Sequence, residues 1–307
     1  MDLQHLSLLR ELADRGSVTA VAAASHRSPS AVSQQLATLQ RQLGTDLVRR
    51  SGRGIELTDA GRTLADAAVG VARAVAEAEA TWHAFVGGAS GTVRLAVFPS
   101  VAELLVPGLV HRMRAHPGID LVLGEHDVSE HEFAPLVVDH DVVVGHRSDG
   151  ATPPDRAGLD VVPLLREPLD VAVPPGHVLD GRPSVSLEEV VEHPWVGVPE
   201  GYPLDRVLTG TALRTGVTPT VVFRSLHLPL LENMVAAGHG LALLPRHTSR
   251  ARVAGRVHLA RLDDLRAGRH VEALMRPDRA SRLAVRTVVD ELRAEVAAAL
   301  REDGERG

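Results

Sequence analysis

The chain has 307 residues, 44% hydrophobic and 23% charged, with a formal net charge of −6, an ordinary globular composition long enough for two or three domains. It holds no cysteine, and every basic residue is arginine, which excludes disulfides, thiolate metal sites, thiol redox sensing, Schiff-base chemistry and a P-loop lysine. No apolar run reaches the roughly 18 residues of a membrane span, and MDLQHLSLLRELADRG, with Asp2 and Glu11, reads as an amphipathic helix and not as a targeting peptide, so a cytoplasmic location is expected.

In chain order, Leu3, Leu6, Leu9 and Leu12, with Leu8 and Ala13, recur at helical spacing. Gly16 is a C-cap and Ser17 an N-cap, so a second helix follows with Val18, Val21 and Ala22 on its buried side. After the turn SHRS, Ser28 caps a third helix with Pro29 at its first position. Val32, Leu36, Leu39 and Leu43 form its core side. Ser30, Ser33, Gln34, Gln35, Thr38 and Arg41 face outward until Gly44 stops the helix. DLVRRSGRGIELT then alternates around SGRG as a small hairpin. Together these elements predict a winged helix-turn-helix over residues 1–58.

An outward helix face without Glu or Lys suits a DNA major groove. Gln can pair with adenine, Ser with either base type, and alanine or the threonine methyl can touch a thymine methyl. From Arg27 to Arg53, five arginines stand against one acid, Asp46, a basic patch on an acidic chain. The candidate contacts to double-stranded DNA are Ser28, Pro29, Ser30, Ala31, Ser33, Gln34, Gln35 and Thr38. Arg41, Arg49, Arg50 and Arg53, at the helix end and in the wing, are placed for phosphates.

This region resembles LysR-type transcriptional regulators. The resemblance runs from Met1 to about Leu64, through GSVTAVAAA, SPSAVSQQLATLQRQLG, DLVRR and LTDAGRTL. It implies an operator with interrupted dyad symmetry. The sequence departs from the common pattern at Ser28-Pro29-Ser30, where Ser-Gln-Pro is usual, at Gln40 in place of Glu, and at Val48 in place of Phe. The first of these changes could alter which bases are read; none threatens the fold.

LTDAGRTLADAAVGVARAVAEAEATWHAF reads as one helix, capped by Thr58 with Asp59 in its first turn. Leu64, Ala68, Val71, Val75, Ala78, Trp82 and Phe85 alternate at heptad spacing. So narrow and alanine-rich a seam predicts pairing with a second copy, which also carries two heads to two half-sites; packing on its own domain is the alternative. The resemblance implies a dimer of dimers, a homotetramer. GGASG, residues 87–91, ends the helix as a hinge, so residues 59–90 form a linker.

From Thr92 strands alternate with helices. TVRLAVF, IDLVLGE and HDVVVGH are strands, separated by helices at LLVPGLVHRMRAHP and SEHEFAPLVVD. VVPLLREPLDVAVPPGH predicts two strands with a turn at Arg166 to Pro168. SLEEVVEH, LDRVLTGTALRTG and LPLLENMVAAGHG are helices, followed respectively by strands PWVGVP (before the second of them), TPTVVFR and LALLP. A last helix, Ser281 to Arg301, should pack on the first lobe. The expectation is an α/β domain with a mostly parallel sheet. LLVPGLVHRMRAHPGIDLVL, PLLREPLDVAVPPGHVL and LENMVAAGHGLALLP resemble, in that order, the effector-binding domain of the same family, itself similar to periplasmic binding proteins. The resemblance implies a two-lobed, periplasmic-binding-protein-like effector domain over residues 91–307. Lobe I would be 91–160 with 270–301 and lobe II 161–269, crossed near Val161 and near His270, with a small-molecule cleft between.

In such folds ligands sit outside the carboxyl ends of strands, against helix N-termini. That selects Pro99, Ser100, Val101 and Ala102; His146, Arg147 and Ser148; Pro199, Glu200, Gly201 and Tyr202; and Ser225, Leu226 and His227. Ser100 could hold an anion with Arg147 as counter-charge, while Glu103 would repel one that came close. The expected effector is a small polar metabolite, zwitterions included and polyanions excluded. His126, Asp127, His131 and Glu132 group imidazole with carboxylate, but His126 and His131 do not share a helical face, so no metal site is predicted. No nucleophile elbow, phosphate-cradling glycine loop or HExxH is present, and no cofactor is expected. The sequence therefore reads as a non-enzymatic, ligand-responsive transcriptional regulator. The alternative is a cytoplasmic solute-binding protein or α/β enzyme with an incidental helical N-terminal domain.

Overall fold

The structure, a computed structural model, describes residues 1–52, 54–150, 154–200 and 202–305. Helices α1 (Leu3–Arg15), α2 (Val18–Ala24) and α3 (Pro29–Leu43) and the hairpin β1 (Val48–Ser51) with β2 (Gly54–Leu57) form the N-terminal head. Local chemistry sets the boundaries. Asp2, Ser17 and Ser28 each accept a hydrogen bond from a first-turn N–H, and Gly16 and Gly44 close α1 and α3 at φ 68° and 67°. Leu9, Leu12, Val21, Val32, Leu36, Leu39 and Leu57 make the core. Leu3 and Leu43, expected in the apolar stripes, are 55% and 41% exposed. Each is the terminal residue of its helix, with no further turn beside it to pack on.

Thr58 caps the long helix α4 (Asp59–Val86). After it come β3 (Gly91–Val97), α5 (Pro99–Met113), β4 (Ile119–Glu125), β5 (Val142–Ser148), β6 (Asp160–Val173), β7 (Ser184–Val185), α6 (Leu187–Val191) and β8 (Trp195–Gly197). Then follow α7 (Pro203–Thr215), β9 (Val221–Arg224), α8 (Leu228–Ala236), β10 (Ala242–Pro245), α9 (Arg246–Val253), β11 (His258–Leu262), β12 (Gly268–Met275), α10 (Pro277–Ser281) and α11 (Leu283–Glu305).

The main sheet has the order β4-β3-β5-β12-β6-β11-β7, with β10 also paired to β6. Only its ends are parallel, β4-β3-β5 and β11-β7; the middle is antiparallel. The sheet is therefore mixed and not mostly parallel. The turn expected at Arg166 to Pro168 is absent. β6 runs straight through, pairing with β12 over Asp160–Pro168 and with β10 and β11 over Leu169–Val173. Its polar middle is held by side-chain partners: Arg166 pairs with Asp149 and Glu167 with Arg269. The helix expected at SEHEFAPLVVD is two short 3-10 turns, Glu130–Glu132 and Ala134–Val138, because Pro135 cannot donate into a continuing α-helix.

Two hydrophobic cores result. One joins Val93, Leu95, Leu105, Val142, Val144 and Val271 to Val285, Val288 and Leu292 of α11. The other lies around Leu169, Val196, Leu231 and Leu244, with Trp195 and Val171 adjoining. α11 is tied to α5 by Arg112–Glu295 (2.8 Å) and to the turn after α5 by His116–Glu291 (2.9 Å). Among the described residues no helix is long and apolar enough to cross a membrane.

Candidate functional site

α3 turns Val32, Leu36 and Leu39 inward. Pro29, Ser30, Ala31, Ser33, Gln34 and Arg41 are exposed opposite them, and Gln35 and Thr38 are half-buried. The preceding turn passes through His26 at φ 53°, a left-handed conformation that costs a residue with a Cβ roughly 1 kcal/mol. Ser28 accepts from the Ala31 N–H (3.2 Å), so its oxygen is engaged as a cap. Arg27 donates to Gln35 (2.9 Å) and Arg41 to Thr38 (3.1 Å). Among the described residues the Gln34 side chain has no such tie. Gln40 Oε1 accepts from the Leu47 and Val48 N–H groups (2.8 and 3.2 Å), fastening the wing to α3. In the wing, Arg49 pairs with Glu56 (3.0 Å) and Arg50 is exposed.

A cleft of about 560 Å³ opens between the two α/β cores. Phe98, Ser100, His146 and Arg269 are its buried floor. Glu103, Glu125 and Asp127 stand at its exposed mouth, and Val198, Tyr202, Leu204 and the 225–229 segment close the other side. Arg269, 3% exposed, donates to Glu167 (2.6 and 2.8 Å) and to Ser100 Oγ (3.1 Å), and its guanidinium carbon lies 5.0 Å from the Phe98 ring centroid. Glu167 also accepts from the Thr248 N–H (2.7 Å). Arg252 grips the buried Glu232 (2.7 and 2.9 Å) and bonds Glu103. His146 meets Phe98 and Phe133 edge-on at 4.8 and 5.0 Å. Burial, helped by the charges of Arg269 and Arg156, lowers its pKa to about 3 and keeps the imidazole neutral. Gly145 allows this packing, since a Cβ there would stand 2.8 Å from Phe133.

Residues 3–62 match the family described as bacterial regulatory helix-turn-helix protein, lysR family, and residues 87–297 match the LysR substrate binding domain. The chain belongs to the LysR family. This LysR-family regulator is 26% identical over 250 residues to the transcriptional dual regulator GltC of Bacillus subtilis, spanning 81% of this chain and 82% of that protein. It is 30% identical over 245 residues to a probable hydrogen peroxide-inducible genes activator of Mycobacterium leprae, spanning 76% and 74%. Its fold matches a full-length OxyR variant from Pseudomonas aeruginosa with a TM-score of 0.67 at 19% identity, over 96% of this chain and 94% of that one. It is a DNA-binding transcription regulator with an effector-binding domain, not an enzyme. The alternative with an incidental helical domain falls, because the helical unit carries its own family match.

Within this LysR-family regulator, Pro99, Ser100, His146, Tyr202, Ser225, Leu226 and His227 line the cleft. Val101, Ala102, Arg147, Ser148, Pro199 and Glu200 do not. Val101 is buried in the first core and Ala102 packs against it, because α5 turns them away from the cleft. Alternation along β5 sends Arg147 to the face opposite His146, where it pairs with Glu272 (2.9 Å) beside Arg156. The counter-charge beside Ser100 is Arg269 instead. The Ser148 N–H and hydroxyl donate to the buried Glu130 (3.2 and 3.1 Å). Pro199 is half-buried outside the lining, and Glu200 points outward, 3.7 Å from Arg224. Arg53 and Gly201 lie outside the described residues. Arg252 and Arg269 were missed because they sit on α9 and β12, elements the sequence pattern did not reveal. Glu125 ends β4, so the strand-end rule could have found it.

His126 stacks edge-on with His140 (4.9 Å), while His131 lies 3.7 Å from Asp155. Among the described residues no three metal-ligating side chains gather. The linker seam is divided. Ala68 is buried, Leu64 packs against the head's own core, and Val75 is half-buried. Val71, Ala78, Trp82 and Phe85 are exposed, the last two by 61% and 83%. The line buried within the chain is Ala65, Ala68, Ala76 and Ala80, and α4 lies against α1 and α10.

Proposed function

We propose that this regulator reads double-stranded operator DNA with interrupted dyad symmetry as a dimer or dimer of dimers in the cytoplasm, and that a small molecule in the cleft sets its activity. The outer face of α3 carries the DNA reading. It is free of carboxylates, with Gln34 untied and Arg41, Arg49 and Arg50 exposed around it. Ser30, Ser33 and Gln34 are the base readers and Arg50 a phosphate contact. Self-association is supported by the open end of α4, where the Trp82 and Phe85 rings lie 6.0 Å apart in solvent. The effector reading is supported by a concave space with buried polar groups on its floor. The chain has no cysteine, so its signal is a bound molecule and not a thiol oxidation.

A gel shift on the DNA beside its own gene tests the first part. Gln34→Ala should cost about 1–3 kcal/mol of operator affinity and relax one base position. Arg50→Ala should weaken all sequences alike and flatten the salt dependence. Unchanged operator affinity in Gln34→Ala would show that α3 is oriented differently on DNA.

A further inference from the structure

Charge in the cleft does not balance. Its two arginines are already matched, Arg269 by the buried Glu167 and Arg252 by the buried Glu232 and by Glu103. Glu125 and Asp127 face the same space and make no ion pair or side-chain hydrogen bond among the described residues. Partial desolvation, with the charge of Glu125 added, raises the Asp127 pKa, as expected for a carboxylate lacking a counter-charge. Part of the floor is polar but uncharged: His146, its imidazole held neutral, lines it beside the buried Ser100. Much of the remaining wall is apolar, with Phe98 and Leu228 among it. A space of about 560 Å³ is the size of a small organic ligand's pocket and far larger than a bare ion needs.

We propose that the effector carries a cationic amine, an ammonium or guanidinium group, held by Glu125 and Asp127, with its carbon body on the apolar wall and a polar end toward His146 and Ser100. This rests on the cleft being the effector site. An anion would join three carboxylates where, among the described residues, no unmatched arginine waits, whereas an amine supplies the missing charge and neutralises the pair at the mouth.

Three probes share one carbon chain and differ only in their ends: cadaverine, 5-aminovalerate and glutarate. Calorimetric titration of the full chain should show the two amine-bearing probes binding about ten-fold or more tighter than glutarate. Glu125→Gln with Asp127→Asn should weaken the amines by about ten-fold and leave glutarate unchanged or tighter. Both positions are exposed, and matching melting temperatures without probe would confirm intact folding. Glutarate binding as well as the amines, and lost in Ser100→Ala, would overturn the amine proposal while leaving the cleft as effector site. Amine binding indifferent to the double variant would overturn it too. So would heat from magnesium or calcium alone, lost in that variant. If no probe binds in a way that depends on any cleft residue, both the amine proposal and the cleft reading fall.

Discussion

His146 is held neutral because burial and two neighbouring arginines penalise its charged form, lowering its pKa to about 3. In the unfolded chain the same imidazole titrates near 6.5, so between those values the unfolded state binds the extra proton. The stability tied to neutral His146 is complete above about pH 6.5. It falls as pH drops, by up to roughly 1.4 kcal/mol per pH unit, until the folded pKa is reached. His146→Gln should remove that part of the slope. Urea unfolding at pH 7 and pH 5 should show the wild type losing about 1–2 kcal/mol more than the variant. Equal losses in both would mean that another group carries the pH dependence. The same residue shows how closely the floor is built. The imidazole keeps its edge-on place only because residue 145 has no side chain to push Phe133 away.

At the scale of elements, α4 serves two neighbours at once. Near its start it presses on the head so closely that a Cβ on Gly61 would stand 2.1 Å from the Leu47 carbonyl oxygen. Gly61→Ala should therefore cost about 1–3 kcal/mol in thermal unfolding. Gly70, on the same helix with open space around it, should gain about 0.5–1 kcal/mol when changed to Ala. Two variants of the same sign would refute the close docking of α4. The ends of the helices were legible in the sequence because caps are local: Ser17, Ser28, Thr58, Gly16 and Gly44 act within one turn of where they stand. The seam was only half legible. Its heptad spacing is real, yet the alanines beside it are small enough to let α4 pack within its own chain, and periodicity does not say which apolar line is used. β6 misled for the opposite reason. Its polar Arg166–Glu167–Pro168 looks like a turn until Arg269, far along the chain, neutralises Glu167. The strand-end rule found the Ser100 side of the cleft, but Arg252 and Arg269 depend on tertiary pairing that spacing does not encode.

Across the whole molecule, the head meets the effector domain through more than the linker. The outer face of α1 is charged and turned toward lobe I. Arg10 pairs with Asp278, and Arg276 pairs with Asp14 (2.9 Å) and Glu11 (3.2 Å). Arg15 reaches Asp139 (2.8 Å) and the Val138 carbonyl (3.3 Å). Arg276 follows β12 directly, and the same strand carries Arg269, its second residue, on the cleft floor. A ligand that moves β12 would thus press on α1 along a continuous, packed element, which is what coupling between the two sites requires. Arg10→Gln with Arg276→Gln should leave α4 as the main tie, at a cost of about 1–3 kcal/mol for the carboxylates left without partners. Small-angle scattering at low salt should then show a larger radius of gyration for the variant. The wild type should keep its smaller size at high salt as well, because both arginines are buried and such pairs are screened far less than exposed ones. Operator affinity of the variant should also no longer respond to a ligand that alters it in the wild type. Superimposable scattering at both salt concentrations, with the ligand response intact, would mean that the ion pairs neither hold the head nor carry the signal, and that the path runs through α4 alone.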